Sequence, residues 1–396
     1  MNTKERLLLL VLASVNFTHI MDFMIMMPLG PALMEKFGAS PSEFGFAVSS
    51  YSLTAGITGF ISAFFVDRFD RKLVLLFAYI GFVIGTLACA VAPSFELLIA
   101  ARILAGFFGG MIGSQVLSII GDTFEYERRG LAMGVLMTAF SAASVAGVPT
   151  GLWLAARFSW HTPFWVIGGL GVLITGLIIA FVPNMTRHIQ QGAAPKNPVV
   201  VLKEVLATSN QRLALALSVV AMIGHFSIIP YIAPYLVNNT GYHQDQIFLI
   251  YLVGGAFTIV SSPLVGRLAD RRGKQLVFTI FALLSILPIL LITNMWAAPL
   301  WIVLGAAALF FVAANGRIIP MQALVSSVVP PQQRGAFMSV NSSLQQLASG
   351  LAANLGGAII INAPDGRLLH YDWVGYMCIF FVVIAVLLAN RVRAIG

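Results

Sequence analysis

Charge is what this sequence has least of: Asp, Glu, Lys and Arg make up 10% of its 396 residues, and acids are the scarcer sign, 15 against 23 bases. A soluble domain carries roughly 25% charged residues, so a water-soluble globular fold is excluded. Cysteine is nearly absent. The two present, Cys89 and Cys378, lie inside apolar runs, which excludes a disulfide framework or a zinc site and leaves them as packing residues. Catalytic signatures are missing too. The Gly-rich stretch Gly106 to Gly113 lies within an apolar run rather than after a strand, and no metal-ligand cluster or Ser-His-acid set stands out. Neither an enzyme nor a bound cofactor or metal is expected.

What fills the chain is apolar side chain, 59% of the residues, with a mean hydropathy of +0.90. A bilayer-crossing helix needs about 20 such residues, and runs bounded by charge, Pro or polar clusters predict twelve of them. The first six lie near residues 7–33, 44–66, 73–92, 96–121, 131–155 and 164–183. The second six lie near 212–237, 246–266, 275–294, 299–326, 336–362 and 373–390. Between them, residues 184–211 carry Arg187, Pro195, Lys196, Pro198 and Lys203 and read as a cytoplasmic linker. The expected architecture is an all-α membrane protein with one six-helix bundle over 1–183 and another over 212–396. Lys4 and Arg6 ahead of an apolar run mimic a signal peptide, but the run is too long and contains Asp22. It reads as an uncleaved first span.

A net charge of +8 in a soluble protein would point to nucleic acid; here the bases cluster at the ends of apolar runs and face membrane lipid and water instead. With the N-terminus inside, 18 of the 23 bases fall on the cytoplasmic side and only Lys36, Arg157 and Arg367 outside. The positive-inside rule then puts both termini in the cytoplasm. Trp160, Trp296, Trp301 and Trp373 fall near the expected outer ends, where interfacial tryptophans belong. The halves also repeat. Asp67-Arg68 after the second span recurs as Asp270-Arg271 after the eighth, an offset of 203 that Pro31/Pro234 and Gly38/Gly241 share. Six-helix halves repeated in parallel are a transporter architecture, with a site at mid-membrane.

Of the 15 acids, Asp22 alone lies deep in an apolar run, where an ionised carboxylate is costly unless paired. It is the leading proton site and a candidate substrate contact; the opposing reading is a polar group that packs helices. By helical rise, Asp22 is roughly 22 Å from Leu7, and Arg102 of the fourth span reaches about the same depth from the other side. The two are therefore a candidate pair. His19 lies one helical turn before Asp22, and His225 occupies the position of Asp22 in the second repeat. Each histidine is either a proton-coupling partner, His225 also touching substrate, or is simply bonded to a neighbouring helix. Arg317 in the tenth span is a candidate for an anionic substrate group or an inner gate, or a side chain snorkelling to the interface. Asn341, Gln345 and Gln346 of the eleventh span serve either helix-to-helix hydrogen bonds or substrate.

Four short motifs look familiar. Gly266-Arg-Leu-Ala-Asp270-Arg-Arg-Gly273-Lys274 joins spans 8 and 9, and its first-half copy is Ala63-Phe-Phe-Val-Asp67-Arg-Phe-Asp70-Arg71-Lys72. Span 4 carries Arg102-Ile-Leu-Ala-Gly106, span 5 carries Gly147-Val-Pro149-Thr-Gly151, and span 1 reads Met21-Asp22 ahead of Pro28 and Pro31. Together these resemble the major facilitator superfamily over the whole chain, in particular its twelve-helix drug:proton antiporter branch with its sugar-efflux-like members. The first-half loop departs from the family in having Ala63 and Asp70 where Gly is usual.

The resemblance implies a major facilitator fold and a monomer in a bacterial inner membrane. It implies export of a small molecule, drug-like, sugar or metabolite, in exchange for protons by alternating access. Asp67, Arg68, Arg71, Asp270 and Arg271 would hold the inner gate, and Gly147, Pro149 and Gly151 would shape a close, kinked helix contact that moves with it. The rival readings are a facilitator or proton symporter for a sugar or other metabolite, and a non-transporting membrane sensor.

Overall fold

The computed structural model describes residues 3–62, 64–124, 126–186, 189, 198–330 and 333–394. Ala63, Arg187, Pro195 and Lys196 lie outside them, and for Asp67 the backbone alone is described. The first helices are α1 Thr3–Ile25, α2 Gly30–Phe37, α3 Pro41–Ser62, α4 Arg71–Val91, α5 Phe95–Thr123, α6 Tyr126–Ala142, α7 Val148–Arg157 and α8 Thr162–Phe181. A short α9, Pro198–Val205, lies within the linker. Then follow α10 Ser209–Phe226, α11 Ile229–Thr240, α12 Gln244–Arg272, α13 Lys274–Leu284, α14 Ile286–Thr293, α15 Leu300–Ser326, α16 Arg334–Ile359 and α17 Tyr371–Ala389. Among the described residues, 11 helical stretches are long and apolar enough to cross a membrane. Helix α16, with 26 residues, is a further long helix in which Asn341, Gln345 and Gln346 replace apolar side chains.

The reason these helices need lipid shows on α4. Leu73, Phe77, Ile80 and Ile84 repeat at helical spacing and are exposed, while Leu75, Ala78, Tyr79 and Phe82 on the other side are buried. A helix apolar on both faces is stable only where its outer face meets hydrocarbon. Contacts group the helices into two units, Met1–Ile25 with Ser50–Val200 and Met26–Ser49 with Val201–Gly396.

In the first unit α4 packs on α5 and α8, and α1 on α6 and α8, around a core that includes Leu12, Val15, Tyr79, Phe82, Ile112 and Ile119. Glycines set the closest approaches. A Cβ on Gly85 would stand 2.6 Å from the Ala105 nitrogen, and Cβ atoms on Gly106 and Gly110 would collide with the Tyr51 and Ala55 backbone of α3. In the second unit α12 and α13 pack on α15, and α10 packs on α16 and α17.

Proline breaks three of the expected spans. The first stops at Ile25 and resumes at Gly30 around Pro28 and Pro31, the seventh breaks between Phe226 and Ile229 ahead of Pro230, and the ninth breaks at Ser285 before Pro288. Each Pro lacks the N–H that would continue the helix. In the fifth span the backbone instead widens into a π-turn, Ala143–Gly147, two residues before Pro149, a usual response to a missing donor. Trp296, Trp301 and Trp373 are exposed, whereas Trp160 is buried and stacked on His161 at 3.6 Å.

The two repeat loops turn differently. Gly273 takes φ 95 in the second, a conformation open to glycine. In the first, Asp70 caps α4, its carboxylate accepting from the Lys72 amide at 2.7 Å and the Met185 amide at 3.0 Å. Asp70→Ala is expected to lower stability by about 1–2 kcal/mol and Asp70→Asn by much less, read as thermal unfolding in detergent.

After α16 the chain makes a small hairpin, β1 Ile361–Asn362 against β2 Leu368–Leu369. Asn239 of α11 clasps it with two 2.9 Å bonds to the Leu368 backbone. At its tip the Arg367 amide and guanidinium donate to Asp365 and hold that carboxyl below the usual carboxylate range. Because the folded value is the lower one, this contribution is present at neutral pH and is lost as pH falls through it. The Arg367 amide resonance should therefore shift only at a pH below the usual carboxylate range.

Candidate functional site

Four helices of the first unit converge on Asp22. Arg102 of α5 donates through Nη1 to the Asp22 carboxylate at 2.7 Å and to the Asp22 backbone carbonyl at 3.3 Å. Thr86 of α4 donates to the other carboxylate oxygen at 3.0 Å. The guanidinium lies 4.4 Å above the centre of the Tyr51 ring of α3. Asp22 and Arg102 are both 0% exposed. Burying either charge alone would be prohibitive; the ion pair, the hydroxyl and the aromatic face together make the burial tolerable.

The local fold explains the placement. Asp22 sits in the last turn of α1, where the partial negative end of the helix favours a cation, and Arg102 meets both that carbonyl end and the side chain. Gly147 and Gly151 bring the fifth span against the same turn of α1. Their Cβ atoms would stand 3.2 Å from the Met21 sulfur and 2.6 Å from Ile25 Cδ1. The expected close contact thus flanks Asp22, with the π-turn and Pro149 immediately beside it.

His19 forms no hydrogen bond with Asp22 among the described residues. Its ring lies 6.2 Å from that of Tyr51 and 5.7 Å from that of Phe82, and its buried Nε2 has no partner. His225 stands in the second unit, near parallel to the Phe310 ring at 6.4 Å, with Nδ1 buried and without a partner among the described residues. Beside it Arg317 is 7% exposed, next to the Cys378 thiol. Its side chain is thus enclosed within the unit rather than exposed on its surface. Both residues line a cavity of about 10 Å³.

On α16, Gln345 accepts from Gln322 of α15 at 3.2 Å, a helix-to-helix bond, whereas both amide atoms of the 1% exposed Asn341 are buried without a partner among the described residues. Of the loop residues, Arg68, Asp270 and Arg271 are exposed. Arg71 is buried and paired with Asp122 at 2.5 Å. Sequence reasoning missed Thr86, Tyr51 and Gln322. Only Tyr51 had a signal, the polar quartet Ser49-Ser50-Tyr51-Ser52 within an apolar run.

The arrangement around Asp22 is a single buried carboxylate whose charge is matched by one guanidinium and whose second oxygen is held by a hydroxyl. Comparison with known proteins agrees with a transport role. The family model described as Major Facilitator Superfamily matches residues 12–353 and 214–394. An uncharacterized MFS-type transporter of Bacillus subtilis, YceJ, is 26% identical over 93% of this chain and 92% of its own. A probable sugar efflux transporter of Helicobacter pylori is 23% identical, covering 88% of this chain and 89% of its own. Among solved structures, a D-xylose-proton symporter superposes with a TM-score of 0.78 at 16% identity, over 97% of each chain. A bacterial homologue of the human lysosomal transporter Spinster gives 0.78 at 16% identity, over 99% of this chain and 97% of its own.

Proposed function

The chain belongs to the Major Facilitator Superfamily, a multi-pass membrane transporter with the all-α major facilitator fold, and from that premise we propose that it exports a small molecule in exchange for protons. The exported molecule is a drug-like compound, a sugar or another metabolite, and the sugar-efflux relative supports the outward direction. The protein works as a monomer in a bacterial inner membrane with both termini in the cytoplasm. Its halves, 1–183 and 212–396, alternate access about the linker 184–211, with Asp67, Arg68, Arg71, Asp270 and Arg271 at the inner gate.

The observation that carries this reading is the buried Asp22 carboxylate, bonded at 2.7 Å to Arg102 and at 3.0 Å to Thr86. A proton on Asp22 removes the charge that holds Arg102, and the freed guanidinium must be satisfied by a new arrangement of its helices. That is a physical link between proton binding and conformation. Gly147, Pro149 and Gly151 carry it to the fifth span, and His19 and His225 line the proton and substrate path. Gln345 and Asn341 add polar contacts for substrate.

The test is reconstitution in liposomes with an internal pH dye, an imposed proton gradient, and a panel of lipophilic cations, sugars and small metabolites. Wild type should show substrate-triggered proton movement and Asp22→Asn should show none. Equal substrate exchange in both without proton movement would make the protein a facilitator. Net flux of substrate in the same direction as protons would make it a symporter.

A further inference from the structure

We propose that the cavity between α10, α13, α15 and α17 is a binding site for a compact, singly charged anion, held by Arg317 and His225. Its walls are Gly224, Phe278, Met321 and Val382 alongside these two side chains, and its volume is about 10 Å³. Such a space admits one water-sized group, so a single small ion or the end of a carboxylate fits and a bulky polyanion does not.

Charge selects the ligand. Every acid of the second unit lies in a loop or near a helix end. Among the described residues no carboxylate forms an ion pair with Arg317, which has the Cys378 thiol beside it. Arg102, the other arginine within a span, has Asp22 at 2.7 Å. Arginine does not deprotonate in proteins, so Arg317, 7% exposed, holds an uncompensated positive charge. An isolated buried charge of this kind is among the most costly features a membrane helix can carry. His225, 9% exposed, adds an unpartnered Nδ1 to the same cavity.

A cation would be repelled from this cavity, and a neutral ligand would leave the charge unbalanced. An anion satisfies the guanidinium fork and the imidazole together, and the apolar walls strengthen the attraction by excluding water. Two sources supply that chemistry: a free halide-sized ion, or the carboxylate of the transported molecule. The second source rests on the export reading above.

The experiment is thermal unfolding of the purified full-length protein in detergent, with sodium chloride, acetate or benzoate titrated against sodium gluconate at constant ionic strength. Wild type should gain about 5 °C once the anion exceeds its dissociation constant a hundredfold, with no gain in gluconate. Arg317→Gln, which removes an unpaired charge and should fold, is expected to lose the response. Arg317→Lys keeps the charge but not the fork and should need about tenfold more anion. A response to chloride identifies a free ion, and a response to the carboxylates alone identifies a substrate group. No anion-dependent gain in wild type, or an equal gain in Arg317→Gln, would overturn the proposal. Because no proton gradient is present, the result is separate from that of the liposome assay: a lost proton signal with a retained anion response would sink the export reading alone.

Discussion

Asp22→Asn is expected to destabilise the first unit by about 3–5 kcal/mol, because Arg102 is then left buried without its counter-charge. The unfolding midpoint in detergent should fall by about 5–15 °C. Arg102→Gln should be milder, since an unpaired carboxyl can take up a proton and become neutral whereas a guanidinium cannot. The double variant removes both charges and should recover most of the lost stability, giving a coupling energy of about 2 kcal/mol or more in a double-mutant cycle. Recovery should not extend to transport. The double variant has no titratable group at this position, so it should remain silent in the proton-movement assay while unfolding near the wild-type temperature. If the double variant were as unstable as Asp22→Asn, the pair would not be what makes the burial tolerable; if it still moved protons, the coupling group would lie elsewhere.

Gly106→Val and Gly110→Val should each abolish accumulation of folded protein. On α5 these glycines lie one turn apart and face the backbone of α3, where an added Cβ would strike the Tyr51 and Ala55 carbonyl oxygens. Backbone cannot swing aside as a side-chain tip can, so the two helices must separate. Separation also withdraws Tyr51 from Arg102. The expected cost is about 3 kcal/mol or more for each, seen as loss of the monodisperse peak in size-exclusion chromatography. Gly113 on the same helix is the control, because among the described residues nothing lies within 4 Å of a Cβ placed there. Gly113→Ala should be neutral or stabilise by up to about 1 kcal/mol, as replacing glycine in a helix interior does. Equal loss in all three would mean that glycine matters here for helix insertion rather than for the contact with α3.

What was legible in the sequence was charge in the wrong solvent. Asp22, Arg102 and Arg317 stand out because ionised groups are rare in apolar runs, and counting helical rise placed Asp22 and Arg102 at one depth without any structure. The partners were not legible in the same way. Thr86 is one hydroxyl among many in apolar helices, where threonine usually bonds its own backbone, as Thr54 and Thr58 do here. Tyr51 stood in the polar quartet Ser49-Ser50-Tyr51-Ser52, but nothing in that run says that a guanidinium lies over its ring. The breaks at Ile25, Phe226 and Ser285 escaped for another reason: hydropathy measures how long a run stays apolar, and Pro28, Pro230 and Pro288 are apolar enough to leave it uninterrupted. The π-turn at Ala143–Gly147 is a change of hydrogen-bond pattern with no compositional mark beyond Pro149 itself. For Arg317, the apolar run around it was visible, but whether its head reached water depended on how four helices close about a cavity.

The neutrality of the Asp22–Arg102 cluster has an electrical consequence. With Asp22 ionised the buried charges of the cluster cancel, so under the proposed exchange this form changes access without moving net charge through the membrane field. With Asp22 protonated, the cluster carries one net positive charge, and a proton taken the full way inward through it gains about 2.3 kcal/mol per 100 mV of inside-negative potential. Export of an uncharged molecule against a single proton would then run on voltage as well as on the pH difference, continuing when both sides of the membrane stand at the same pH.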